Sequence, residues 1–121
     1  MHELSIALSM IEMANKECAA RGGARVSALH LKLGSLSGVI KEALQFSYEI
    51  ACQGTALEGS TLIIEDVPVI IHCSTCESNQ LVETVQDLRC SKCGGTNSHV
   101  TQGRELEVVA LELEGAKAVV S

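Results

Sequence analysis

Between Leu4 and Arg21 the apolar residues Leu4, Leu8, Ile11, Ala14 and Cys18 recur at helical intervals, with Glu12, Asn15 and Lys16 between them. That spacing predicts a helix with one buried stripe. Gly22 and Gly23 close it, because glycine accepts the left-handed conformation of a helix end. "RVSALHLKLG" then alternates, Leu29, Leu31 and Leu33 pointing one way and His30 and Lys32 the other, the period of a strand with one wet face. A second helix is predicted in "SLSGVIKEALQFSYEIACQG", with Ile40, Leu44, Ser47 and Ala51 on one side, Ala43 and Ile50 beside them, and Gly54 as the stop. "STLIIEDVPVIIHC" is rich in β-branched residues and reads as a strand from Thr61 to Glu65 and an extended piece from Val69 into Cys73, separated at Pro68. In "GRELEVVALELEG" the alternation of Leu106, Val108 and Ala110 inverts at Val109, Leu111 and Leu113, as at a bulge or a doubly buried strand end.

Composition shifts once along the chain. Between His72 and Gly103 large apolar residues thin out and Cys, Ser, Thr and Asn accumulate, so this stretch cannot make its own hydrophobic core. Elsewhere a core is available: the chain has 121 residues and is 46% hydrophobic, and a domain of this size buries roughly two thirds of its unfolded surface. Phe46 and Tyr48 are its only aromatic residues and the net charge is −6. A chain without stacking platforms or a basic groove is a poor nucleic-acid binder. There is no run of eighteen apolar residues and no basic start followed by an apolar stretch, so no membrane span or secretory leader is expected, and the protein reads as cytoplasmic.

Six cysteines in a reducing compartment point to metal before disulfides. "CSTC" and "CSKC" place Cys73 with Cys76 and Cys90 with Cys93, two C-x2-C pairs thirteen residues apart. Each pair can form a knuckle presenting two thiolates, and two knuckles complete a tetrahedron around zinc. Four sulfur ligands leave no open coordination position, so this zinc is expected to be structural, worth about 10–16 kcal/mol to folding. Iron suits the same ligands, and two disulfides are the non-metal alternative. Haem attachment is excluded, because Glu77 and Gly94 stand where that motif needs histidine. Cys18 and Cys52 lie within helical patterns and read as small buried hydrophobes. His72 and His99 flank the quartet as alternative ligands, although four thiolates suffice, and they read better as neighbours of the site; His30 reads as solvated.

The chain opens Met-His-Glu. A helix starting near Leu4 leaves its first amide N–H groups without intrahelical partners. The free α-amine of Met1, the amide nitrogens of His2 and Glu3 and the His2 imidazole therefore form a chelating nitrogen set, and planar nitrogen coordination favours Ni(II) or Cu(II). The bland alternative is a loose terminal histidine beside a first-turn acid that the helix dipole favours.

"MHE" opening an amphipathic helix, "LKLGSLSGV" followed by "FSYEIACQGTALEGSTLIIE", and two C-x2-C pairs ahead of a terminal strand together resemble the HypA/HybF family, nickel metallochaperones of NiFe-hydrogenase maturation. The likeness spans almost the whole chain. It implies an α+β fold, two helices packed on a small three-stranded mixed sheet with an inserted four-cysteine zinc ribbon, in the same element order that the periodicity gives. The nickel-binding α/β domain is then 1–71 together with 104–121, and the ribbon is 72–103. The family's nickel motif falls on Met1, His2 and Glu3, and its zinc motif on Cys73, Cys76, Cys90 and Cys93. The resemblance further implies a transferable Ni(2+), a structural Zn(2+), a HypB-like GTPase accessory protein and the hydrogenase large-subunit precursor as partners, and service to urease in some relatives.

Two other classes compete. A zinc-ribbon module associated with nucleic acid or protein needs a basic ribbon, whereas Arg89 and Lys92 are outnumbered here by Glu77, Glu83 and Asp87. An enzyme needs an open metal position or a nucleophile with its base, and neither arrangement is found. The expected role is a carrier and not a catalyst.

Overall fold

A computed structural model describes residues 2–82, 87–114 and, for the backbone, 116–119. The elements run α1 (Glu3–Ala20), β1 (Val26–Gly34), α2 (Lys41–Cys52), β2 (Thr61–Val67), β3 (Ile70–Cys73), β4 (Ser78–Leu81), β5 (Ser98–Gln102), β6 (Leu106–Leu113) and β7 (Ala116–Val119). They make one sheet in the order β2-β1-β6-β7 and a smaller one in the order β4-β3-β5. The chain forms two units, one of Met1–Leu31, Gly38–Glu65 and Glu107–Ser121, the other of Lys32–Ser37 and Asp66–Leu106.

The larger sheet is mixed, and its hydrogen bonds say why. Val26 N–H donates to the Ala56 carbonyl at the start of β1, and Ser35 N–H donates to Val67 at its end, so β1 and β2 run in the same direction. Parallel neighbours need a crossover, which α2 supplies. On its other side β1 meets β6 antiparallel: Gly34 N–H donates to Glu105 and Glu114 N–H to Arg25. The expected two-helix, mixed-sheet α+β architecture with an inserted cysteine ribbon is therefore present, and β7 adds a strand to the three anticipated, pairing antiparallel with β6.

Helix α1 ends where the glycines predict, with Gly22 and Gly23 both at positive φ and Gly23 N–H donating back to the Cys18 carbonyl at 2.9 Å. Its buried stripe differs from the expected one. Ala7, Met10, Ile11, Ala14 and Cys18 are buried, while Leu4 and Leu8 are exposed. Both stripes share Ile11, Ala14 and Cys18, so the spacing is satisfied by either. Ala7 and Ala14, each 0% exposed, are small enough for a neighbouring element to approach α1 closely, which leucines there would prevent. Helix α2 is rotated from expectation in the same way: Leu44, Tyr48 and Cys52 are buried, Ser47 and Ala51 are half-buried, and Ile40 and Ile50 are exposed. Tyr48 replaces them inside because its hydroxyl, 2.7 Å from Ser60 Oγ, has a partner. Burial pushes its phenol above the ordinary range.

Leu29, Leu31 and Leu33 of β1 are buried as the alternation requires. The opposite face is not simply wet. His30 is half-buried and its Nε2 lies 2.6 Å from Glu112 Oε2 on β6, a cross-strand partner absent from any local pattern. Pro68 separates β2 from β3 as expected, and β6 ends doubly buried at Ala110 and Leu111.

Gly34 closes β1 against the Gly103 backbone so tightly that a Cβ on Gly34 would overlap the Gly103 carbonyl. Gly34→Ala should therefore cost about 2–3 kcal/mol by overpacking, measured by thermal unfolding, against about 1 kcal/mol for Gly38→Ala, where φ is positive but space is open. Leu44→Ala should cost about 2–5 kcal/mol, and Phe46→Ala, at a position 65% exposed, within about 0.5 kcal/mol of nothing.

Candidate metal centre

The smaller sheet brings the two C-x2-C pairs together. Cys73 ends β3 and Cys76 follows it in the turn to β4, while Cys90 and Cys93 belong to a second turn before β5. In both turns the residue after the second cysteine is left-handed, Glu77 at φ 49 and Gly94 at φ 68. This shared twist folds each short segment back so that two sulfurs face the same point. Gly94 N–H donates to the Cys90 carbonyl at 2.9 Å, and Ser74 N–H donates to Asn97 at 2.9 Å, tying the first turn to the approach of β5.

The Cys73, Cys76, Cys90 and Cys93 sulfurs lie within 4.8 Å of one another. Cys73 Sγ is 3.8 Å from Cys93 Sγ, and Cys76 Sγ is 3.7 Å from Cys90 Sγ. A tetrahedral ion bonded to four sulfurs at about 2.3 Å separates them by about 3.8 Å. The donor set thus fits one tetrahedral ion that favours sulfur, and all four cysteines are free in this structure. Cys73 and Cys90 are buried, Cys76 is half-buried and Cys93 is exposed, so the cluster opens to solvent on one side.

Backbone amides aim at the sulfurs. Lys92 N–H and Cys93 N–H donate to Cys90 Sγ at 3.4 and 3.5 Å, and Gly95 N–H donates to Cys93 Sγ at 3.4 Å. These dipoles stabilise thiolate charge. With the Cys93 amide foremost, and Gln80 next, they pull the Cys90 thiol down to about 6. Cys76, hydrogen-bonded to Cys90, is pushed up to about 12, so its proton must leave when a cation enters.

Gln80 was not singled out by the cysteine spacing. From β4 its Nε2 donates to Cys90 Sγ at 3.0 Å, and its Oε1 accepts from both Ser91 N–H and Ser91 O–H at 2.9 Å. One side chain thereby fastens the second turn to the sheet. The available sequence signal was its inward place in the two-residue period of β4, which needs the strand register to interpret. His72 and His99 are outside the sulfur cluster; the two rings pack on each other. Cys18 and Cys52 are buried thiols whose pKa burial raises, as the packing reading expects.

At the other candidate site, Met1 lies outside the described residues. His2 is the exposed N-cap of α1, and its side chain makes no cap hydrogen bond. Its carbonyl accepts from Ile6 N–H, while the leading amide N–H groups have no intrahelical acceptor. The Glu3 carboxylate reaches elsewhere, accepting the Ile40 N–H at the N-cap of α2 at 3.2 Å, and this hydrogen bond lowers its pKa. The structure therefore brings the four cysteines together, and places His2 and Glu3 at the head of α1 with the Glu3 carboxylate bonded to the Ile40 amide.

Residues 1–113 match the family described as hydrogenase/urease nickel incorporation, metallochaperone, hypA. The chain belongs to the HypA family. It is 46% identical over 114 residues to the hydrogenase maturation factor HypA of Roseiflexus sp. (strain RS-1), covering 94% of this chain and 93% of that one. It is 45% identical over 112 residues to HypA of Chloroflexus aurantiacus, covering 93% and 98%. The solution structure of the Ni metallochaperone HypA from Helicobacter pylori superimposes with a TM-score of 0.61 at 25% identity, over 93% of this chain and 97% of that one. Another HypA solution structure shares the fold, with a TM-score of 0.69 at 23% identity, covering 93% and 96%.

Gln80→Ala should weaken metal retention about 10–100-fold, measured by chelator competition, with the cluster still able to load. Metal affinity should fall at least about tenfold per pH unit as pH decreases, one proton returning to Cys76, and more steeply below about pH 6, where Cys90 also takes up a proton.

Proposed function

We propose that this HypA-family protein is a cytoplasmic carrier that binds Ni(II) at its N-terminus and delivers it during NiFe-hydrogenase maturation. The division of labour is a nickel-binding α/β part, residues 1–71 with 104–121, and a zinc ribbon, residues 72–103. The nickel ligands are the Met1 amine, the amide nitrogens of His2 and Glu3, and the His2 imidazole. The observation that carries this reading is the N-cap position of His2: it is exposed, with its imidazole uncommitted to helix capping, in a chain of the nickel-incorporation family. Because the Glu3 carboxylate is engaged at Ile40, Glu3 contributes its backbone nitrogen and holds the entry to α1 in place.

The ion in the four-cysteine cluster is zinc, which accepts tetrahedral sulfur coordination without redox chemistry and has no open position left for a substrate. It folds the ribbon. Delivery is ligand exchange at a docking surface, with a HypB-like GTPase and the hydrogenase large-subunit precursor as partners, and a urease apoprotein as a second client. No step requires the protein to make or break a covalent bond in a substrate.

The test is nickel titration of the zinc-loaded protein, with binding at the N-terminal set followed by the absorption bands of planar Ni(II). His2→Ala, or residues added ahead of Met1, should abolish those bands while zinc content stays at one per chain. Unchanged bands, affinity and client loading in either variant would overturn the proposal.

A further inference from the structure

The outer face of the ribbon sheet sets two histidines side by side. Side chains alternate along a strand, so β3, which turns Ile71 and Cys73 inward at 1% and 0% exposure, turns His72 to the opposite face. In register, His72 stands directly across from Asn79 on β4 and from His99 on β5. The His72 and His99 ring centroids are 5.5 Å apart, with the rings inclined by 55°. On its other side His72 Nδ1 lies 2.8 Å from Asn79 Oδ1. An amide oxygen only accepts, so the proton in that contact sits on Nδ1, and Nε2 of the neutral ring keeps its lone pair. A second polar group that fixes tautomer and ring orientation in this way is the usual support of a ligating histidine.

We propose that His72 and His99 form a cross-strand clip for a divalent transition-metal ion of the imidazole-preferring class, Ni(II), Cu(II) or Zn(II), separate from the sulfur cluster. The separation of the rings suits it. An ion bonded at about 2.1 Å to one nitrogen of each ring holds the centroids about 4.5–5.5 Å apart for N–metal–N angles of about 90–120°. Neither histidine is needed by the cysteines, whose four sulfurs already complete a tetrahedron, and strand alternation turns His72 away from them. His99 is exposed and His72 half-buried, so an ion can reach both, and water fills the remaining coordination positions. Two protein ligands on an open face make a site that binds moderately and exchanges readily. The clip does not depend on the N-terminal nickel site.

The experiment uses the full-length, zinc-loaded His2→Ala protein, titrated with NiCl2 and followed by calorimetry and by imidazole nitrogen–proton correlation spectra. The expected result is one further nickel per chain, with the His72 and His99 resonances broadening together while those of His30 stay sharp. His99→Gln, on the exposed strand, should abolish this uptake with zinc content unchanged, and Asn79→Ala should weaken it about tenfold or more. His72→Gln should behave like His99→Gln; if it also loses zinc through its neighbour Cys73, the His99→Gln result decides. No nickel-linked change at the two histidines, or uptake unaffected by His99→Gln, overturns the clip. The His2→Ala background lacks the N-terminal imidazole, so failure here leaves the carrier proposal standing, and failure of that proposal leaves the clip standing.

Discussion

The ribbon depends on four sulfur atoms being gathered within 4.8 Å of one another. Its strands are four or five residues long and mostly polar, and short strands of that kind do not supply enough apolar area to order two loops. A cation does what burial cannot. Thiolates brought this close repel unless a positive ion lies between them, so the same contacts that oppose the metal-free fold become its strongest support on loading. The amide dipoles of Lys92, Cys93 and Gly95 and the Gln80 carboxamide lessen the repulsion before the ion arrives, with Cys90 receiving most of them. These contacts pull the Cys90 thiol down to about 6.

The left-handed residues Glu77 and Gly94 reveal a second consequence of that constraint. Each C-x2-C turn needs the same backbone twist after its second cysteine, and the chain meets the need once with glycine and once with glutamate. A non-glycine residue in this conformation costs about 1–2 kcal/mol, small beside the roughly 10–16 kcal/mol that a structural zinc typically contributes. The two turns are alike in shape because sulfur geometry dictates it, although their sequences differ at this position.

How much of this is legible in the sequence follows from the range of the interaction involved. The cysteine quartet could be read directly, because a knuckle is local and its spacing is chemistry. Both helices and the Pro68 break were likewise local. The exact helix faces were not: on α1 the stripe through Leu4 and Leu8 and the one through Ala7 and Met10 share their remaining members, and only tertiary packing chooses between them. His30 with Glu112, Gln80 with Cys90, and His72 with His99 each join residues on different strands or turns. Such pairs become visible only after register is known, since a shift of one residue sends each side chain to the other face.

At the N-terminus two neighbouring residues are engaged differently. The Glu3 carboxylate accepts the N–H of Ile40, at the positive end of α2, and so secures the first turn of α1 to a neighbouring helix. His2, one residue earlier, is exposed and leaves its imidazole unused in capping. For the proposed carrier this juxtaposition matters, because the residue that would offer its imidazole to the ion stands directly beside the one that fixes the entry to α1. Nitrogen donors alone would prefer copper to nickel. Selectivity in such a carrier would therefore come from which ion is supplied and which partner receives it, and a site designed for transfer loses little by lacking discrimination of its own.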